Sequence, residues 1–269
     1  MFDAHHHLWD TSARDYAWMD GPWADPLRGR FDVPRYVSAS GGEVTGSVVV
    51  QALQSEDETR ELLALADGAP VSGVVGWVDL TAGSVAETLA SFSGPLVGIR
   101  HMVQDEPDPE WLSRPDVQRG LRAVADAGIV YDLLVKPPQA DAALAVVRAL
   151  PEVSFVLDHA GKPDIAGGVW EPWASWIAAM AEAPNVAVKL SGLVTEAGPD
   201  WRPDDVLPYA RHVLEAFGPS RVMFGSDWPV CTLAASYRRV VDLVRVTLAD
   251  EDRAEVFDGT ARRVYRIGG

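Results

Sequence analysis

Met1-Phe2-Asp3-Ala4-His5-His6-His7-Leu8-Trp9-Asp10 opens the chain, and the reading of this stretch organises the rest. A short apolar opening reads as a strand, in which successive side chains point to opposite faces. His5 and His7 then share a face, with Cα atoms roughly 6–7 Å apart, and His6 points the other way. Asp3 is expected on the face of His5 and His7. One strand end would present a carboxylate and two imidazoles to a common space, a set suited to metal binding or to polarising a carbonyl. The competing reading is a solvated histidine-rich terminus, and the remainder of the chain speaks against it.

Working outward from residues 2–8, seven more apolar, β-branched runs follow at 47–52, 73–80, 96–102, 129–135, 153–159, 186–192 and 221–229. Helix-like segments separate them. The first of these begins at Ser55, with Glu58 three residues on in a capping-box pattern and Leu62, Leu63 and Leu65 forming an apolar stripe. Strands alternating with helices imply parallel pairing through helical crossovers. Eight such units in 269 residues have the size of a (β/α)8 TIM barrel. A doubly wound open sheet is the alternative, but no Gly-rich phosphate loop follows the first strand. No linker or long repeat breaks the rhythm, so a single barrel domain over 1–269 is expected. Residues 9–31 carry Trp9, Tyr16, Trp18, Trp23 and the turn residues Gly21 and Pro22 without periodicity, which marks either an active-site loop or an ordinary packed one.

Composition bounds the function. The formal net charge is −16, so the basic footprint of a nucleic-acid binder is missing and an anionic membrane surface is disfavoured. No apolar run reaches the length of a membrane span, and the opening residues do not resemble a secretory signal. Cytoplasmic localisation is the default expectation. Cys231 is the single cysteine, which excludes an intramolecular disulfide, and it reads as a small apolar filler. The sequence leaves homo-oligomer formation open.

Strands buried on both faces should be apolar throughout. Here polar or aromatic residues collect at their C-terminal ends: His5 and His7, Gln51, Trp77 and Asp79, Arg100 and His101, Asp158 and His159, Lys189 and Ser191, Ser226 and Asp227. Each alone has a structural reading. Lys189 could pair with a carboxylate, His159 could be a satisfied interior histidine, and Asp158 could face the helices. Together they mark one rim of a barrel, where active sites lie. Asp227, in Gly225-Ser226-Asp227-Trp228-Pro229, is the sharpest of them. The eighth strand neighbours the first in a closed barrel, so Asp227 would sit beside His5 and His7 as a general base, a metal ligand or both.

The ordered set Asp3-Ala-His5-His-His7-Leu-Trp9, Val49-Val-Gln51-Ala, Gly98-Ile-Arg100-His101, Leu157-Asp-His159-Ala-Gly-Lys162-Pro163, Lys189-Leu-Ser191-Gly192 and Phe224-Gly-Ser-Asp227-Trp-Pro229 resembles the amidohydrolase superfamily. Within it the chain is similar to the amidohydrolase-2 branch that contains sugar lactonases and pyrone-dicarboxylate lactonases. The resemblance spans nearly the whole chain. Two features of binuclear members are missing. Strand 4 ends in Arg100-His101 instead of a metal-bridging lysine, and strand 5 ends in Leu134-Val135-Lys136 without a histidine. A two-metal site is therefore not expected.

The resemblance implies hydrolysis of a sugar lactone with no obligatory cofactor. Asp227 would activate water, and His5, His7 and His159 would polarise the carbonyl. The alternative is one zinc ion on His5, His7, His159 and Asp227. Trp9, Gln51, Trp77, Arg100, His101, Trp111 and Lys189 are the candidate substrate-binding residues. Two further readings remain open: a zinc-dependent decarboxylase or other mononuclear amidohydrolase of the same branch, and a non-catalytic sugar-binding barrel. The missing strand-5 histidine counts against the decarboxylase.

Overall fold

Eight parallel strands pair in chain order and close on themselves in the computed structural model, which describes residues 1–66, 68 and 70–268. The strands are β1 (Phe2–His6), β2 (Gly46–Val50), β3 (Val71–Gly76), β4 (Leu96–His101), β5 (Val130–Leu133), β6 (Phe155–Leu157), β7 (Val186–Leu190) and β8 (Val222–Phe224). Past the end of β8 the chain returns to β1. Asp227 N–H donates to His5 O at 2.8 Å, His7 N–H donates to Trp228 O at 2.7 Å, and a parallel bridge joins His6 to Trp228. This closure removes both sheet edges and makes the (β/α)8 barrel. Gly269, the end of the expected span, lies outside the described residues.

Two apolar layers follow from the strand period. Phe2, Ala4, Val48, Val50, Val75, Val130, Val156, Ala187 and Met223 point inward. Val49, Val74, Ile99, Tyr131, Phe155, Leu157, Val188, Leu190 and Phe224 point outward and pack beneath the helices. The C-terminal helix Thr260–Val264 sends Ala261, with Tyr265 just after it, into the interior layer. The helices arise as the pattern requires. Ser55 caps Glu56–Leu65 by accepting from Glu58 N–H. The expected capping box is only half made, because the Glu58 carboxylate accepts from Ala52 N–H and Leu53 N–H instead. Among the described residues no helix is long and apolar enough to cross a membrane.

One irregularity decides the site. Asp3 pairs with Ser47 and His6 with Val49, so β1 spends three steps where β2 spends two. This β-bulge resets the alternation. Asp3 is therefore not on the face of His5 and His7, as the simple period requires. It points outward and accepts from Tyr36 Oη, Tyr237 Oη and Ser226 Oγ, joining three elements behind the barrel wall. His6 also points outward, stacked on Tyr36 with ring centroids 3.9 Å apart.

Candidate active site

Inside the barrel, the inward positions of β4 to β7 carry charge where the lower layer carries methyl groups. Arg100, Asp132, Asp158 and Lys189 are all buried, with His5 directly against them. Lys189 Nζ lies between Asp132 Oδ2, Asp158 Oδ1 (3.0 Å) and His5 Nδ1 (3.2 Å). Arg100 donates to Asp158 Oδ2 (3.1 Å) and to Gln51 O (2.6 Å). Tyr265 Oη closes the layer from below by donating to Asp132. Two cations face two carboxylates, so the buried charge balances, the condition under which such groups survive removal from water. Asp158 does not face the helices: Leu157 points outward, so the next residue points in.

Above this layer sit the imidazoles and Asp227. His5 Nε2 and His7 Nε2 are 3.2 Å apart. Asp227 Oδ1 lies 3.4 Å from His7 Nε2 and 3.7 Å from His5 Nε2. His7 Nδ1 donates to Val50 O at 2.8 Å, and His159 Nδ1 pairs with Ser191 Oγ at 2.9 Å. Both His159 (φ 52°) and Asp227 (φ 56°) occupy the left-handed region, uncommon for residues with a side chain. Such backbone costs about 1–3 kcal/mol and persists at sites where the surroundings impose it. Here it turns each side chain off the strand and over the pocket floor. Gly192 makes room for this, since a Cβ there would lie 2.6 Å from His159 Nδ1.

The protonation states follow from burial and charge. Burial lowers His5 well below the ordinary histidine value, with Asp158 opposing and Lys189 adding to the effect. Burial lowers His159 to about 4. Burial pushes Asp227 up, but His159, His7 and Lys162 outweigh it and hold the carboxyl below the ordinary aspartate range. At neutral pH the site therefore contains neutral His5 and His159 facing an aspartate anion.

A cavity of about 290 Å³ opens above these groups, lined by His7, His159, Asp227 and Arg100 together with Trp18, Trp23, Ala52, Met102, Gln104, Asp105, Leu134, Lys136, Lys162, Thr195, Val230 and Leu233. Of the substrate-binding candidates, Arg100 lines it and the other six do not. Lys189 is wholly buried below His5. Gln51 is spent on Arg100 O. Trp9 packs against Tyr16, Trp18 and Phe31 and donates to Leu27 O. Trp77 and Trp111 flank His101, which accepts from Trp77 Nε1 and pairs with Glu106 at 2.7 Å. These aromatic side chains are used for packing, which a strand-end position alone does not reveal. The loop 9–31 reaches the pocket through Trp18 and Trp23. Lys136, three residues past β5, and Lys162, just after the turn Asp158–Gly161 that follows β6, obey the same rim rule and were legible by it.

Two neutral imidazoles and a carboxylate make a donor set that suits zinc. His5, His159 and Asp227 each offer a ligand atom within 4.8 Å of the others. His7 stands outside this group, although its Nε2 faces Asp227. The residues present therefore fit a single ion.

The model of one family, described as amidohydrolase, matches residues 2–267. The chain belongs to the amidohydrolase family. Among other amidohydrolases, it is 38% identical to an L-fucono-1,5-lactonase of Burkholderia ambifaria, over 98% of this chain and 95% of the relative. It is 27% identical to an L-rhamnono-gamma-lactonase of Scheffersomyces stipitis, over 62% of this chain and 56% of the relative. A crystal structure of an amidohydrolase from Burkholderia multivorans with bound zinc superposes with a TM-score of 0.94 at 38% identity, covering 99% of both chains.

Proposed function

We propose that this amidohydrolase opens a sugar lactone with water, a six-carbon aldonolactone of the L-fucono-1,5-lactone kind. The observation that carries the proposal is the convergence of Asp227, His5 and His159 beneath a cavity of about 290 Å³, where burial favours the neutral imidazoles and the surrounding groups hold Asp227 below the ordinary aspartate range. Similarity to fuconolactonases along nearly the whole chain supports the substrate class.

Lactone hydrolysis needs a water nucleophile, charge stabilisation at the carbonyl oxygen and a proton for the leaving alkoxide. Asp227 accepts a proton from water. His7 keeps its own proton on Nδ1 for Val50 O, so in the neutral ring its Nε2 is an acceptor and not a donor to the carbonyl. Asp227 Oδ1 and His7 Nε2, 3.4 Å apart, then take one water hydrogen each and aim the oxygen. His5, His159 and the Arg100 guanidinium face the oxygen on which charge develops. Protonated Asp227 returns its proton to the ring oxygen as the acyl C–O bond breaks, leaving a hydroxy acid. If zinc is bound by His5, His159 and Asp227, it supplies Lewis-acid polarisation of the carbonyl.

A pH-indicator assay of purified protein against a panel of aldono-1,4- and 1,5-lactones, with and without chelator, tests this. Acid release from a lactone that survives chelation is expected. Silence toward every lactone, with or without added zinc, overturns the proposal.

A further inference from the structure

The mechanism requires the proton of neutral His5 to be on Nε2, the nitrogen on the side of His7 and Asp227. In a neutral imidazole one nitrogen donates and the other accepts, so the partner of Nδ1 decides. Two partners compete for it with opposite demands. Lys189 Nζ, 3.2 Å away, is an ammonium that only donates. Asp158 Oδ1, 3.3 Å away, only accepts, and it is not aligned for a hydrogen bond. The other end of the chain is equally fixed. Val50 O only accepts, so His7 Nδ1 donates to it, and in the free protein the His7 Nε2 lone pair accepts from His5 Nε2 at 3.2 Å, a bond given up when water and the carbonyl reach these two atoms. Every link then runs one way: Lys189 to His5, His5 to His7, His7 to Val50 O. Arg100 Nη1 approaches His5 Nε2 at 3.4 Å but has a nearer acceptor in Asp158 Oδ2 at 3.1 Å.

We propose that Lys189 is a positioning residue that holds the His5 proton on Nε2, and that this bond and a zinc ion on His5 exclude each other. A metal needs the Nε2 lone pair, which requires the other tautomer, with Nδ1–H donated to Asp158 in the carboxylate–histidine–metal arrangement. The two tautomers carry the same charge, so no group titrates in the exchange. Lys189 selects the hydrogen-bond donor form, and Asp158, 3.3 Å from Nδ1, is the acceptor toward which the His5 ring must turn to take up the metal form. A buried ammonium beside His5 also repels a divalent ion. The same residues thus provide a metal-free site and a zinc site, and Lys189 weights the balance toward the first. The inference rests on reading His5, His159 and Asp227 as the reaction centre, but its test uses no lactone, so the two can fail separately.

Selective 15N labelling of the histidine rings in metal-free protein reports the His5 tautomer directly. The wild type is expected to show a protonated Nε2 and a bare Nδ1. Lys189→Met removes the ammonium. Because it leaves Asp132 unpaired in the core, Lys189→Met/Asp132→Asn, which removes one charge of each sign, accompanies it. In the variant that folds, His5 is expected to move its proton to Nδ1. Zinc affinity, read by competition with a chromophoric chelator, is expected to rise about tenfold or more, the scale on which second-layer partners tune a metal site. A wild-type His5 protonated on Nδ1 overturns the proposal. So does zinc affinity within about twofold of wild type in the folded variant.

Discussion

Replacing Asp227 with asparagine tests the proposed chemistry most directly, because the structure separates its catalytic consequence from its structural one. Asparagine has the same size and tolerates the left-handed backbone at φ 56°. The N–H of residue 227 still donates to His5 O, so the closure of β8 on β1 is kept. The loss is chemical: a carboxylate that accepts a proton becomes an amide that cannot. General-base contributions run to about 10²–10⁴-fold, or roughly 2.7–5.5 kcal/mol of barrier. We expect kcat/KM for the preferred lactone to fall by that factor while stability stays within about 1 kcal/mol of wild type, by analogy with substitutions that preserve packing. Indicator kinetics beside a thermal melt measure both quantities. The wild-type pH profile adds a second check. The active form is the ionised one, held below the ordinary aspartate range, so activity is retained on acidification until below that range and is lost as pH falls further. An asparagine variant that folds and turns over within about threefold of wild type would refute Asp227 as the base.

Three further outcomes follow from the packing. Gly192→Ala places a Cβ 2.6 Å from His159 Nδ1 at φ 68°, so it should cost about 1–2 kcal/mol in denaturant melts and lower kcat/KM by about tenfold or more through misplacement of His159. Burial raises Glu58 to about 7 against opposition from the Leu53 and Ala52 amides, so the native state holds this proton more tightly than the unfolded chain. Its contribution is present below the unfolded value of 4.5 and is lost as pH rises through about 7. Glu58→Gln should therefore flatten that slope, gaining on the order of 3 kcal/mol relative to wild type between acid and alkaline ends of the range, as read by chemical denaturation at several pH values. Trp18→Ala opens one wall of the pocket and should raise KM several-fold with a smaller change in kcat, because its contact with bound substrate is made equally in ground and transition states.

Local periodicity determined the barrel. Alternation in Phe2–His6 and its seven counterparts is a nearest-neighbour property, and helices between parallel strands admit few closures. The placement of His5, His7, His159 and Asp227 at one end of that barrel followed from strand ends alone. What alternation could not carry was any departure from it. The bulge that turns Asp3 away from His5 arises from pairing with β2, not from β1 itself. The left-handed turns at His159 and Asp227 exist because the closed barrel and Gly192 hold them there. Polar strand-end residues look alike in sequence, yet Lys189 and Asp132 lie one layer below Lys136 and Lys162. Depth along the barrel axis depends on the stagger of eight strands together. Likewise, Trp9, Trp77 and Trp111 became packing while Trp18 and Trp23 became pocket wall. A tryptophan's role is set by the partners that fold against it, and only the tertiary structure chooses those.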